Sequence, residues 1–103
     1  MSSSIIIGSD HAGFELKEKI RVHLISSGYT VEDAGPFDDT SVNYVTYAGE
    51  VATAVSRGRV SKGILLCGSG IGMSMAANRF KGVRAALCSD LLSARLSRQH
   101  NDA

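Results

Sequence analysis

The sequence predicts an α/β fold with a doubly wound parallel sheet and helices on its faces. Three observations carry this. Short apolar runs closed by glycine or polar residues alternate with longer segments of helical period. The links between them are short, which favours right-handed β-α-β crossovers. Polar clusters follow three of the runs, at Ser9-Asp10-His11, Cys67-Gly68-Ser69 and Cys88-Ser89-Asp90. Parallel sheets of this Rossmann-like kind bind ligands at the carboxyl ends of their strands.

Taken in order, residues 4–7 form a β-branched run closed by Gly8, predicted as a central, buried first strand. Ser9-Asp10-His11-Ala12-Gly13 is the turn after it, with Asp10 or Ser9 able to cap the next helix. Residues 14–25 place apolar side chains at 16, 20 and 24 and at 14, 22 and 25, near helical period. Gly28 ends that helix. Residues 29–33 alternate and read as the second strand. Residues 35–41 form a loop holding the only proline, Pro36. Residues 44–55 form the second helix, with Val45, Ala48, Val51, Ala52 and Val55 on one face. Residues 64–66 are the third strand and residues 73–79 a short third helix. Residues 83–88 read as a fourth strand, and residues 91–99 as a fourth helix capped by Ser89 or Asp90.

Length and charge narrow the classes of function. The 103 residues predict one domain, 1–103, with 44% hydrophobic residues and a net charge of +1. That balance argues for neither a nucleic-acid nor a membrane partner. No apolar run reaches a membrane span. Residues 1–8 lack a basic segment before their short apolar run, so they do not read as a secretory signal. Cys67 and Cys88, the only cysteines, are therefore expected as reduced thiols in the cytoplasm.

The stretch that carries chemistry is Cys67-Gly68-Ser69-Gly70-Ile71-Gly72. Its glycines let the backbone turn sharply and approach a ligand closely. The loop feeds a helix N-terminus, where main-chain N–H groups favour an anion. A thiol there can act as a base beside donors that hold an oxyanion. The spacing alone equally fits a buried cysteine on a structural turn. The loop lacks the Gly-Lys-Ser/Thr of a P-loop and the acid of a dinucleotide fingerprint. Asp10 and His11 are either a cap and a surface histidine or ligand contacts. His100 is either a helix C-terminal cap or a site residue. His23 reads as solvent-facing, and Tyr47 as core; Tyr44 is open to either role.

Taken together, Gly8-Ser9-Asp10-His11-Ala12-Gly13, Asn43-Tyr44, Cys67-Gly68-Ser69-Gly70-Ile71-Gly72, Ala76-Ala77-Asn78 and His100-Asn101-Asp102-Ala103 resemble the ribose-5-phosphate isomerase B family. The wider group includes galactose-6-phosphate and allose-6-phosphate isomerases. The resemblance runs over nearly the whole chain. It implies a metal-free, cofactor-free aldose–ketose isomerase working through a cis-enediolate, with its site at a homodimer interface. Carried over residue by residue, it makes Cys67 the base between C1 and C2. Ser69 and the amides of Gly68, Gly70, Ile71 and Gly72 hold the enediolate, and His100 assists ring opening. Asp10, Tyr44 and Asn101 become sugar contacts, and His11 a phosphate contact.

Three departures stand out. Asn43-Tyr44-Val45 replaces the usual Asp-Tyr-Pro, and Ser69 replaces a threonine. The family also continues past His100-Asn101-Asp102-Ala103 into a fifth strand and a last helix with phosphate-gripping arginines. The chain is accordingly expected to be incomplete at its C-terminus. A non-catalytic sugar-phosphate-binding remnant and a six-carbon sugar-phosphate isomerase are the competing expectations.

Overall fold

The computed structural model describes residues 4–103. Residues 1–3, part of the opening stretch read above as lacking a signal, lie outside the described residues. The elements are β1 (Ser4–Ser9), α1 (Phe14–Ser26), β2 (Thr30–Gly35), α2 (Tyr44–Ser56), β3 (Lys62–Leu66), α3 (Ile71–Ala77) and α4 (Leu91–Asn101). The three strands form one parallel sheet in the order β2-β1-β3. β1 is central, as its β-branched run predicts. Ile7 stands opposite Asp33 on one side and Ile64 on the other.

The core follows from that placement. Ile5, Ile6 and Ile7 are buried, and Ile6 packs in one cluster with Val51, Ala54 and Val60. Each buried branched side chain of this size contributes about 1.5–3 kcal/mol. α2 supplies Ala48, Val51, Ala52 and Ala54 to this core. Its start is fixed by Asn43, whose Oδ1 accepts the Val45 N–H at 3.0 Å. Val45, predicted on the apolar face, is instead exposed, because it sits in the first turn of α2, before the residues that meet the sheet.

α1 departs from its predicted face. Leu16 and Val22 are 53% and 58% exposed, whereas Lys17 is fully buried. The helix docks through the stripe of Gly13, Lys17, Ile20 and Leu24, residues spaced by one helical turn. The buried ammonium is stabilised by both Asp33 carboxylate oxygens at 2.8 Å and by Glu18 Oε2 at 3.0 Å. A buried cation is tolerable only with such partners. His23 faces solvent as expected, and Gly28 follows the Ser27 C-cap with φ +95°.

The expected fourth strand does not form among the described residues: the sheet has three strands, and residues 83–88 carry no ladder. The reason lies in how their backbone is satisfied. The Asn78 side chain donates to the Ala85 carbonyl and accepts the Ala85 N–H, both at 2.8 Å. A side-chain amide offers the same donor and acceptor as a peptide, so Ala85 is paired without a neighbouring strand. A groove of about 650 Å³ separates residues 82–86 from β3. α4 follows, with the Asp90 carboxylate accepting the Ser93 N–H at 2.7 Å. α4 packs on none of the other helices or strands and buries none of its residues. Both cysteines are free thiols, and among the described residues no helix is long and apolar enough to cross a membrane.

The surface ion pairs set an acid limit. Arg21, and then Lys17, hold the Glu18 carboxyl below its ordinary 4.5 by hydrogen bonding, and Arg59 does the same for Glu32. A carboxyl lowered in the folded state stabilises the fold above its unfolded pKa. That stability is lost as pH falls through the folded value. The melting temperature is therefore expected to hold steady near neutrality and to fall below about pH 4.5. Glu18→Gln is expected to lower the neutral plateau and flatten the acid limb, measured by thermal unfolding between pH 3 and pH 7 on the order of half-unit steps.

Candidate active site

The site is assembled where β1 and β3 end. The Asp10 N–H donates to the Leu66 carbonyl at 3.0 Å, tying the turn after β1 to the last residue of β3. The Asp10 Oδ1 accepts the Gly13 N–H at 2.8 Å, so this side chain closes the turn rather than capping α1. Gly13 lies so close to β3 that a Cβ there would sit 2.8 Å from the Leu66 oxygen. Only glycine permits that approach. Ala12 faces Gly68 across the same junction.

Cys67 follows directly and is half-buried. Its Sγ accepts the Gly70 N–H at 2.8 Å, and the Ser69 Oγ accepts the Ile71 N–H at 3.3 Å. Gly70 is the N-cap of α3, so the thiol and the first turn of α3 share one loop. From α2, the Tyr44 hydroxyl comes down on Gly72, where a Cβ would meet it at 2.7 Å. His11 is exposed on the β1 turn, and its Nδ1 accepts the Val42 N–H at 3.4 Å.

Asp10, His11, Tyr44, Cys67, Gly68, Ser69, Gly70, Ile71 and Gly72 are thus gathered at one end of the sheet. His100 and Asn101 are not. They lie on the last turn of α4, and no hydrogen bond links them to the Cys67 loop. The Asn101 carbonyl and Asp102 instead accept from Arg84. Among the described residues no His, Cys, Asp and Glu side chains group as metal ligands. The arrangement sets a sulfur beside main-chain and hydroxyl donors. That combination can take a proton next to a carbonyl and hold the oxyanion that results.

Sequence reasoning missed Lys17, Asp33 and Phe37, which support the loop reaching His11. The signal was the α1 stripe Gly13-Lys17-Ile20-Leu24, in which Lys17 shares a face with two of the residues predicted as apolar, Ile20 and Leu24.

An open parallel sheet with a cysteine on a glycine loop after its third strand defines a class of α/β protein with a small-molecule site at the strand ends. The ribose/galactose isomerase family model matches residues 5–103, and the chain belongs to that family. It is 51% identical over 98 residues to ribose-5-phosphate isomerase B of Escherichia coli, covering 95% of this chain and 66% of that protein. It is similar in structure to the ribose 5-phosphate isomerase of Thermotoga maritima, with TM-score 0.96 and 50% identity over 100% of this chain and 71% of that one. The Mycoplasma genitalium ribose-5-phosphate isomerase B, solved with bound ribulose-5-phosphate, matches with TM-score 0.93 and 44% identity, over 100% of this chain and 69% of that one.

The contact between Tyr44 and Gly72 is testable without substrate. Gly72→Ala is expected to cost about 1–3 kcal/mol through overpacking. In a Tyr44→Ala background the obstacle is gone, and the same change is expected to stabilise α3 by up to about 1 kcal/mol, alanine being the better helix former. Urea unfolding of the four chains reads this coupling; simple additivity would contradict the close approach.

Proposed function

We propose that the chain is a ribose-5-phosphate isomerase of the B type, interconverting ribose 5-phosphate and ribulose 5-phosphate. The observation that carries this is Cys67, its sulfur 2.8 Å from the Gly70 N–H, on a loop adjoining Asp10, His11 and Tyr44. In the open-chain aldose, the Cys67 thiolate takes the proton from C2. The C2–H electrons form the C1–C2 double bond, and the C1 carbonyl becomes an enediolate oxygen. Amides of Gly68 and Gly72, with the Ser69 hydroxyl, stabilise that charge, and those of Gly70 and Ile71, which hold the Cys67 sulfur and the Ser69 oxygen in the free chain, turn to it as the substrate binds. The Cys67 thiol returns its proton to C1 while the O2 proton passes to O1, and the ketose results with the thiolate restored. Asp10 and Tyr44 orient the sugar, and His11 meets the phosphate. No metal or cofactor is needed for these steps.

His100 would assist ring opening and Asn101 would contact the sugar from a second copy, making the working form a homodimer. Support comes from α4, which packs on no other element and exposes Leu91, Leu92 and Leu96. The free thiols at 67 and 88 fit a cytoplasmic setting. A second reading is a non-catalytic sugar-phosphate binder. It is favoured by the distance in the fold between α4 and the Cys67 loop, and by the 66% of the Escherichia coli relative that this chain spans.

A coupled isomerase assay on the wild type and Cys67→Ala tests the proposal. Turnover is expected to fall on the order of 10²–10⁴-fold in the variant, the usual worth of a positioned base. Calorimetric binding of ribose 5-phosphate is expected to persist. Turnover undiminished in Cys67→Ala overturns the mechanism. Binding without wild-type turnover favours the binder, and faster turnover of allose 6-phosphate moves the substrate to a six-carbon sugar.

A further inference from the structure

The neighbourhood of Lys17 has a geometry that stability alone does not require. Its ammonium is fully buried, yet it lies one strand away from the site's histidine. Both Asp33 oxygens receive it at 2.8 Å, and Asp33 Oδ1 also accepts the Gly35 N–H at 2.9 Å. Gly35 opens the loop of residues 36–43. From within that loop, the Phe37 ring lies 5.8 Å from the same ammonium, while Phe14 of α1 lies 5.3 Å away. Phe37 is otherwise 77% exposed, so the cation is what this aromatic has to pack on. The far end of the loop presents the Val42 N–H to His11 Nδ1.

We propose that Lys17 is a positioning residue for the imidazole of His11. It fixes the loop at two points, through Asp33 to the Gly35 amide and directly under Phe37. The loop then delivers the Val42 N–H to Nδ1. An N–H donated to Nδ1 makes that nitrogen the acceptor and leaves Nε2 as the nitrogen that donates. A ring held this way offers an N–H, with fixed orientation, to an anionic oxygen. Without the clamp the loop loses its register, and the ring is free to turn and to exchange tautomers. The role of the anion rests on the isomerase reading above; the clamp does not.

The test uses the ligand-free, folded chain and three variants. Lys17→Met keeps the length and removes the charge. Phe37→Leu removes the aromatic face at an exposed position, and Phe37→Tyr keeps it. Long-range ¹H–¹⁵N spectra report the His11 tautomer, and the Val42 amide shift reports its hydrogen bond. Wild type and Phe37→Tyr are expected to show one tautomer with the proton on Nε2. Lys17→Met and Phe37→Leu are expected to show mixed tautomers and a shifted Val42 amide. Inorganic phosphate is expected to bind them about tenfold more weakly, the scale of one charge-assisted hydrogen bond. A wild-type tautomer and Val42 shift in folded Lys17→Met overturn the proposal. If Lys17→Met does not fold, an unchanged Phe37→Leu overturns it. Failure of phosphate to bind the wild type, with the tautomer change intact, sinks the phosphate reading and leaves the clamp standing.

Discussion

The site exists because two pieces of backbone lie closer than side chains would allow. The turn after β1 rests on the end of β3, with the Asp10 amide on the Leu66 carbonyl and Gly13 against the same oxygen. A hydrogen bond of this kind contributes about 0.5–1.5 kcal/mol net, a modest sum. Its larger effect is geometric. It brings residues separated by most of the chain's first two βα units into register, so that Asp10 and His11 share an edge with Cys67. Any side chain at position 13 would force β3 or α1 to move, and the cysteine loop would move with β3.

The same economy of space recurs on the other side of the loop. Tyr44 begins α2, and its hydroxyl reaches Gly72 in the first turn of α3. α2 is itself anchored by Val51 and Ala54 beneath Ile6. The chain of cause therefore runs from core packing, through the orientation of α2, to the tyrosine over the glycine loop. The opposite face is organised differently. There α1 is fastened to β2 by the Lys17–Asp33 pair, which costs desolvation and returns specificity of placement rather than bulk stability.

Much of this was legible in the residues. The β-branched run ending in Gly8 marked the central strand, and Cys67 with its glycines marked the loop. Gly28 marked the end of α1, and Asp90 the start of α4. What the sequence did not yield were features decided by tertiary partners. Leu16 and Val22 have the right spacing for a core face, but Lys17 takes it because Asp33 stands across from it. Residues 83–88 have the composition of a strand, but a ladder also needs a neighbour at about 4.8 Å. Asn78 occupies the backbone of Ala85 instead, and no local pattern announces that an amide seven residues away will substitute for a peptide.

The result is a molecule of two textures. β1, β2, β3 and the first three helices are locked by shared burial, and they carry Cys67, Asp10, His11 and Tyr44. Residues 83–101 are held by side-chain contacts at their margins, Asn78 to Ala85 and Arg84 to Asp102. Regions with few buried apolar contacts open at lower free energy than the core. α4, which bears His100 and Asn101, packs on none of those elements, and the segment before it reaches the cysteine loop through Leu87, which lies against Gly70. The part of the site that must be rigid is built into the sheet, and the exposed leucines of α4 lie on the part that can adapt to whatever covers them.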